Sequence, residues 1–181
     1  LGHGEPLRDT ARVLGRYADG VMARLFDHED VEILAEHADS PVINGLTDEA
    51  HPCQTLADLL TIREHAGEDV HVAWIGDGNN VGQSFVVGAA MAGIDVTVAT
   101  PAEYAMDGAV FDRAADFGAD PTVTTDPAAA VADADVVYTD VWISMGQEDR
   151  RERKLAAFDG FQVNESLLAD SDAAVMHCLP A

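Results

Sequence analysis

The alternation of short apolar segments with helical ones after Val70 constrains the fold of this chain more than any other feature. Five segments are short and rich in β-branched residues, which predicts strands over 70–76, 94–101, 121–125, 135–141 and 173–179. Helical patterns separate them, over 80–92, 102–117 and 127–133 and again after Gly146. Because the strands are apolar and separated by helices, they predict an α/β fold with a doubly wound parallel sheet that is buried on both faces.

The first 65 residues have the same alternation on a smaller scale. Asp9 is the predicted N-cap of a first helix that begins at Thr10. The elements predicted after it are an extended run over 20–26, a helix over 29–37, a strand over 41–46 and a helix over 55–65. A polar turn at 66–70 follows, and we predict a domain boundary there.

The charge balance is the most unusual feature of the composition. The chain has 33 Asp and Glu against 10 Lys and Arg, which gives a net charge of -23, and Lys154 is the only lysine. The acidic residues are spread through amphipathic segments such as 28–40 and do not form one tail. This pattern is typical of a halophile's surface, and an ordinary acidic enzyme is the alternative. No basic stripe offsets phosphate charge, which argues against a nucleic-acid partner.

Hydropathy and cysteine content narrow the class of protein further. No run approaches the roughly 18 apolar residues of a membrane helix, and the first residues lack a basic start before an apolar stretch. We therefore expect a cytoplasmic protein without a membrane partner.

Cys53 and Cys178 lie far apart and cannot by themselves complete a four-ligand zinc site, so we expect free thiols and no metal.

The fold rule for open parallel sheets predicts where the site lies. Ligands bind beyond the carboxyl ends of the strands, which puts residues 76–80, Asp140 and Cys178 on one rim.

The segment GDGNNVG (76–82) resembles a dinucleotide-binding fingerprint, but its spacing is GxGxxxG and not GxGxxG. The next strand also ends without an acidic residue that could bind a ribose. A nicotinamide-dependent oxidoreductase is therefore the alternative from another class.

Several motifs occur together in an order that resembles the ornithine carbamoyltransferases. The motifs are GEPLRDTARVLGRYADGVMARLF (4–26), HPCQTLADLLTIREH (51–65), VAWIGDGNNVGQS (72–84), TDVWISMGQE (139–148) and MHCLPA (176–181). HPxQ is shared across carbamoyltransferases, whereas the Asp-x-Trp-x-Ser-Met-Gly and His-Cys-Leu-Pro segments are specific to the enzymes that use ornithine. The resemblance covers essentially the whole chain.

The resemblance implies two doubly wound parallel-sheet domains. Residues 1–66 would be the C-terminal part of an incomplete carbamoyl-phosphate-binding domain, and residues 67–181 a nearly complete, Rossmann-like ornithine-binding domain that lacks its C-terminal end. The family's phosphate-gripping Ser-Thr-Arg-Thr-Arg motif would precede Leu1. The chain thus resembles an internal fragment that is inactive by itself. The family's assembly implies a homotrimer or an assembly of trimers.

By the same resemblance, the protein transfers the carbamoyl group of carbamoyl phosphate to the side-chain amine of ornithine, without a metal or cofactor. The residues expected to contact carbamoyl phosphate are Arg24, His51, Gln54, Cys178 and Leu179. Those expected to contact ornithine are Asn80, Asp140, Ser144 and Met145. Arg24, His51 and Cys178 are the expected catalytic residues. Arg24 stands in an otherwise apolar run, where an unpaired guanidinium would be costly to bury.

Three alternatives stay open within this interpretation. A carbamoyltransferase for putrescine or acetylornithine is the nearest, although Asn80 and Asp140 favour free ornithine because putrescine has no α-carbon groups for them to hold. A non-catalytic regulatory homologue is another. The third concerns the direction in which the reaction runs in the cell, towards arginine synthesis or towards citrulline breakdown. An enzyme accelerates both directions of one equilibrium, so the catalytic residues do not decide between them.

If the charge of -23 is an adaptation to salt, the melting temperature should rise steeply between low and molar KCl. The physical reason is screening, because the Debye length falls from about 8 Å at physiological ionic strength to about 3 Å at 1 M. Thermal unfolding at a series of KCl concentrations measures this dependence. A flat response would leave the acidity without an explanation.

Overall fold

A computed structural model describes residues 4–143 and 151–180. The chain divides into two compact units, Leu1–Cys53 and Gln54–Ala181, which are described separately below. Parallel strands flanked by helices occur in both, so the predicted α/β class is confirmed. No helix within the described ranges is both long and apolar enough to cross a membrane.

The first unit is built on a pair of parallel strands. Its elements are helix α1 (Leu7–Tyr17), strand β1 (Val21–Arg24), helix α2 (His28–His37) and strand β2 (Val42–Leu46). Strand β1 pairs with β2 in parallel, in a register that places Val21 beside Val42. The small core of this unit comprises Ala11, Ala23, Val31 and Leu34. Helix α1 and strand β1 thus supply one core side chain each and helix α2 supplies two, while partly buried Val42 of β2 packs against them.

The second unit contains a five-stranded parallel sheet in the order β5-β4-β3-β6-β7. Its strands are β3 (His71–Ile75), β4 (Asp95–Ala99), β5 (Thr122–Thr124), β6 (Val136–Thr139) and β7 (Ala174–His177). Its helices are α3 (Pro52–His65), which belongs to this unit from Gln54 onward, α4 (Asn80–Ala92), the 3₁₀ turn Ala102–Tyr104, α5 (Gly108–Ala115), α6 (Pro127–Val131) and α7 (Arg151–Ala157). The chain runs outward from β3 to one edge and then returns to β6, which is the doubly wound arrangement.

Successive residues of the central strand β3 belong to two different cores. Val72 and Trp74 pack with α3, α4 and α5, whereas Ala73 and Ile75 pack with α6 and the segment after α7. This follows from the period of two in a strand, which turns neighbouring side chains to opposite faces. All four side chains are fully buried, as expected for a parallel strand that is covered on both sides.

Two predicted helix boundaries were wrong. Asp9 does not cap α1 but lies in its first turn, where it pairs with Arg12 at 2.9 Å, and the N-cap position is Pro6. The single helix predicted over 102–117 is divided into a 3₁₀ turn and α5. Asp107 causes this division, because its side chain accepts a hydrogen bond from the Ala109 N–H and so starts a new helix.

A buried ion pair joins α7 to the turn that follows β3. Lys154 Nζ lies 2.5 Å from Asp77 Oδ2, and these side chains are 4% and 9% exposed. The ammonium also lies 5.2 Å from the centre of the Tyr104 ring. Burial raises the pKa of Asp77, and the hydrogen bond from Lys154 works in the opposite direction. The only lysine of the chain is therefore part of the interior.

We expect Lys154→Met to destabilise the protein by about 3–5 kcal/mol, because it leaves the Asp77 carboxylate buried without its cation. The double variant Asp77→Leu with Lys154→Met should recover most of this loss, since no buried charge remains. Urea unfolding at a fixed KCl concentration measures both. A double variant less stable than Lys154→Met would show that the pair is not the source of the effect.

Candidate functional site

Arg24 and His51 lie at one edge of the first unit. Arg24 is the last residue of β1, and His51 follows β2 by a short turn, so both come after the carboxyl ends of parallel strands. Arg24 is exposed, and no described residue forms an ion pair with it. Because β1 ends at Arg24, the guanidinium avoids the cost of burial in its apolar run. The guanidinium is available to an anion.

Thr47 fixes the turn that leads to His51. It is fully buried, and its hydroxyl lies 2.8 Å from His28 Nδ1 and accepts from the Ala50 N–H at 3.2 Å. Its backbone N–H donates to the Ala50 carbonyl at 2.8 Å. These bonds hold both ends of the turn, so half-buried His51 has a defined position directly before Pro52, where α3 begins.

Asp140 is the centre of the site in the second unit. It follows β6 and is 8% exposed. Its Oδ2 accepts from Asn79 Nδ2 at 2.7 Å, and its Oδ1 accepts from Cys178 Sγ at 2.8 Å and from the Val141 N–H at 2.7 Å. Asn79 and Cys178 follow the neighbouring strands β3 and β7. The rim predicted from the fold rule is therefore present.

The second unit also contains a buried carboxylate that is not at a strand end. Asp58 of α3 is 4% exposed, and its Oδ2 accepts a 2.6 Å hydrogen bond from the Tyr138 hydroxyl. Its Oδ1 accepts from Gln54 Nε2 at 2.9 Å. Tyr138 lies two residues before Asp140 and packs edge-on against Trp74 and Phe85. The phenol is thus held in the core while its hydroxyl reaches the carboxylate.

Buried acids are rare in this acidic chain. In the described ranges, the Asp and Glu side chains classed as buried are Asp58, Asp77 and Asp140. All of them lie in the second unit, in or beside the elements that carry the rim. A buried carboxylate costs free energy unless donors satisfy it, so this concentration at one end of a sheet is typical of a functional site.

Burial and neighbouring carboxylates shift the protonation equilibria of this cluster. Burial raises the pKa of Asp58, and the hydrogen bond from Tyr138 opposes the shift. Burial raises the pKa of the Tyr138 hydroxyl most, and the neighbouring Asp58 raises it further. The hydroxyl therefore remains a donor. Burial raises the pKa of the Cys178 thiol most, and the neighbouring Asp140 raises it further. Cys178 is therefore a protonated donor at neutral pH and not a thiolate.

One group of side chains has the spacing of metal ligands. Ligand atoms of Asp140, His177 and Cys178 all lie within 4.8 Å of one another. All three already take part in hydrogen bonds, since Cys178 donates to Asp140 and His177 Nδ1 accepts from the Leu179 N–H at 2.8 Å. The arrangement is satisfied by protein groups, and a cation held by all three ligands would have to displace the thiol proton.

The glycines after β3 are explained by packing. A side chain at Gly78 would meet the backbone of Tyr104 and Met106, and one at Gly82 would meet the Trp74 ring. The Gly78 N–H donates to the Tyr104 carbonyl at 2.9 Å. These glycines allow close contact within the protein, so they give no support to a dinucleotide site.

The structure places the other predicted residues unequally around this site. Half-buried Asn80 begins α4, with Asn79 as its N-cap, so the asparagine that contacts Asp140 is Asn79 and not Asn80. Leu179 is 67% exposed beside Cys178. Ser144 and Met145 lie outside the described residues.

Sequence reasoning missed Asp58 and Tyr138. The signal that could have found Asp58 is its place on α3, where the buried positions are Thr55, Asp58 and Ile62. A carboxylate on the buried face of a helix calls for a partner. Tyr138 has the weaker signal of a hydroxyl in the middle of a buried strand.

Two family models together match almost the whole chain. The model described as the Asp/Orn binding domain of aspartate/ornithine carbamoyltransferase matches residues 68–181, and the model of the carbamoyl-P binding domain matches residues 1–64. The chain belongs to the aspartate/ornithine carbamoyltransferase family. The resemblance noted from the motifs is thereby confirmed.

Individual carbamoyltransferases support the same conclusion. An ornithine carbamoyltransferase of Haloquadratum walsbyi is 70% identical over 183 residues, which take in 100% of this chain and 61% of that protein. A solved ornithine carbamoyltransferase from Pyrococcus furiosus has 50% identity and a TM-score of 0.92, over 100% of this chain and 60% of that one. The anabolic enzyme from Campylobacter jejuni has 39% identity and a TM-score of 0.94, over 100% and 63%. The chain thus spans about three fifths of the length of these carbamoyltransferases.

Replacing Asp140 by Asn should make Cys178 react faster with iodoacetamide at pH 8. The carboxylate that accepts the thiol proton and disfavours the thiolate is lost, and one unit of pKa corresponds to about a tenfold change in thiolate.

The measurement uses a Cys53→Ser background, so that Cys178 is the remaining thiol. Urea-unfolded samples provide the control, because there both proteins should react at the same rate. An unchanged rate in the folded Asp140→Asn protein would contradict the Cys178–Asp140 contact.

Proposed function

We propose that this protein is an ornithine carbamoyltransferase. The side-chain amine of L-ornithine attacks the carbonyl carbon of carbamoyl phosphate, so that a C–N bond forms and the C–O bond to phosphate breaks. The nitrogen loses a proton, and the products are L-citrulline and phosphate. Family membership supports the carbamoyl donor, while the second substrate must be inferred from the second unit, since the family includes enzymes for aspartate and for ornithine.

The buried Asp140 carboxylate is the observation that carries the choice of ornithine. Of the three buried acids, Asp77 is neutralised by Lys154, whereas the groups that donate to Asp58 and Asp140 are uncharged. Ornithine has a net positive charge at neutral pH and aspartate a net negative one. Carboxylates that have no cation beside them therefore favour the former and disfavour the latter at this site.

Asp140 has room for one further donor. An ionised carboxylate offers about four acceptor positions, and the Asn79, Cys178 and Val141 groups occupy three of them. We assign an ammonium of ornithine to the fourth. By resemblance to the family, Asn80 receives the α-carboxylate, and Ser144 and Met145 complete the amino-acid end.

Arg24, His51 and Gln54 are the groups that we assign to carbamoyl phosphate. Attack on the carbamoyl carbon moves negative charge onto its oxygen, and exposed Arg24 provides a permanent cation for it. His51 is held by the Thr47 turn as a second donor. Gln54 orients the carbamoyl amine. Cys178 and Leu179 are assigned to the neighbourhood where the two substrates meet.

Activation of the nucleophile is the main energetic requirement. An amine with a pKa of about 10.4 is mostly protonated at pH 7, and keeping it neutral there costs roughly 4.6 kcal/mol. A desolvated site lowers this cost, because burial disfavours the ammonium. Cys178 is a neutral donor and does not serve as a covalent nucleophile in this scheme.

We also propose that the protein acts in the cytoplasm, in arginine metabolism, as a homotrimer or an assembly of trimers. The family relationship supports the pathway and the assembly. The acidic composition and the similarity to a protein of Haloquadratum walsbyi support adaptation to high salt. The reaction needs neither a metal nor an organic cofactor, because positioning and hydrogen bonding supply the catalysis.

Assays of the protein made from its complete gene, in molar KCl, test the proposed function. Carbamoyl phosphate is supplied with ornithine, putrescine, acetylornithine or aspartate, and the ureido product is measured. We expect product with ornithine alone, because the rim must bind both α-carbon groups and a net positive charge. Turnover of aspartate or putrescine in preference to ornithine would refute the assignment.

Asp140→Asn is the matched variant for this assay. Loss of a charge-assisted hydrogen bond should raise KM for ornithine about tenfold to a hundredfold while KM for carbamoyl phosphate changes little. A similar rise for both substrates would contradict the role of Asp140.

A further inference from the structure

Gln54 is held by a carboxyl group that accepts a hydrogen bond at each of its oxygens. Gln54 Nε2 donates to Asp58 Oδ1 at 2.9 Å, one turn further along α3. The other oxygen of Asp58 accepts from the Tyr138 hydroxyl at 2.6 Å. Both oxygens of Asp58 therefore act as hydrogen-bond acceptors in the structure.

This contact decides which way the Gln54 amide points. A primary amide has one donor end and one acceptor end of almost the same shape, so the partner determines the orientation. Because the Asp58 oxygen beside Gln54 acts as an acceptor, it takes only the NH₂ end. The Oε1 end of half-buried Gln54 is thereby turned away from Asp58 and left as an acceptor.

We infer that Asp58 and Tyr138 are positioning residues that make Gln54 present a hydrogen-bond acceptor to the NH₂ group of the carbamoyl donor, and so select it over acyl phosphates that lack N–H groups. This inference rests on the proposed function and deepens it. An inverted amide would place an NH₂ group against the substrate NH₂ group. Two donors facing each other lose the bond and leave both groups unsatisfied.

Tyr138 makes the arrangement rigid. It is fully buried on β6, and its ring packs edge-on against Trp74 at 5.0 Å and Phe85 at 5.1 Å between centroids. The ring therefore has no freedom to follow a moving carboxylate. Asp58 is fixed between this hydroxyl and its own helix, and the Gln54 amide takes its orientation from a group anchored in the core of the sheet.

Asp58→Asn tests the inference in the protein made from its complete gene. Asparagine has the same shape but can accept from Gln54 or donate to it, so the amide orientation is no longer enforced. We expect KM for carbamoyl phosphate to rise about tenfold, the effect of one lost hydrogen bond of this kind. The Ki of acetyl phosphate, in which a methyl group replaces the NH₂ group, should change less than about twofold, since it makes no bond to Gln54 Oε1.

A double-mutant cycle shows whether Asp58 acts through Gln54. In a Gln54→Ala background, Asp58→Asn should have little further effect on KM for carbamoyl phosphate, because the group that it positions is gone. Glu64→Gln is the control, since it removes an exposed carboxylate from the same helix. It should leave KM for carbamoyl phosphate and the Ki of acetyl phosphate unchanged.

Tyr138→Phe removes only the hydroxyl and keeps the test valid if Asp58→Asn fails to fold. It should raise KM for carbamoyl phosphate in the same direction by a smaller factor, again without a matching change in the Ki of acetyl phosphate. Equal weakening of both phosphates, or additive effects in the cycle, would overturn the inference. Absence of citrulline synthesis by the unaltered protein would instead refute the proposed function.

Discussion

Parallel pairing in the second unit is the constraint on which the rest of the structure depends. Parallel strands must be covered on both faces, and they all end at the same edge. Because β3, β6 and β7 are neighbours, the residues that follow them meet there, and Asn79 and Cys178 both reach Asp140. The same pairing buries Tyr138, whose hydroxyl must then find a partner inside the protein. Asp58 supplies that partner, so sheet packing and site chemistry cannot be separated.

The buried carboxylates differ in what satisfies them, and this difference decides what each can do. Asp77 faces an ammonium, so its charge is compensated within the protein. Asp58 and Asp140 face amide, hydroxyl, thiol and backbone donors, which stabilise a carboxylate without cancelling its charge. A surface rich in acids does not produce such a rim, since solvent and salt screen exposed groups far more than buried ones. The interior of the second unit is where negative charge can select a substrate.

The sequence allowed the helices and strands to be predicted where local signals were unambiguous. Helix α4 was predicted over 80–92 and is found at Asn80–Ala92, because an asparagine cap and a glycine stop enclose an apolar run. The region 102–117 was predicted less well, since Asp107 starts a second helix where the apolar pattern continues. The position of the rim could be predicted from the order of strands and helices alone. Asp58 and Tyr138 could not be found in this way, because they are 80 positions apart and an aspartate on a helix of so acidic a chain looks like a surface residue.

The place of Lys154 has a chemical consequence. It carries the only side-chain amine of the chain, and that amine is 4% exposed in an ion pair under the Tyr104 and Phe158 rings. The positive charges on the outside are guanidinium groups, which stay protonated and react poorly as nucleophiles. Electrophiles that acylate or carbamoylate amines therefore meet no exposed lysine in the described part of this chain. Within this chain, which we propose to be part of an enzyme that handles an activated carbamoyl donor, burial keeps the one lysine amine away from such a donor.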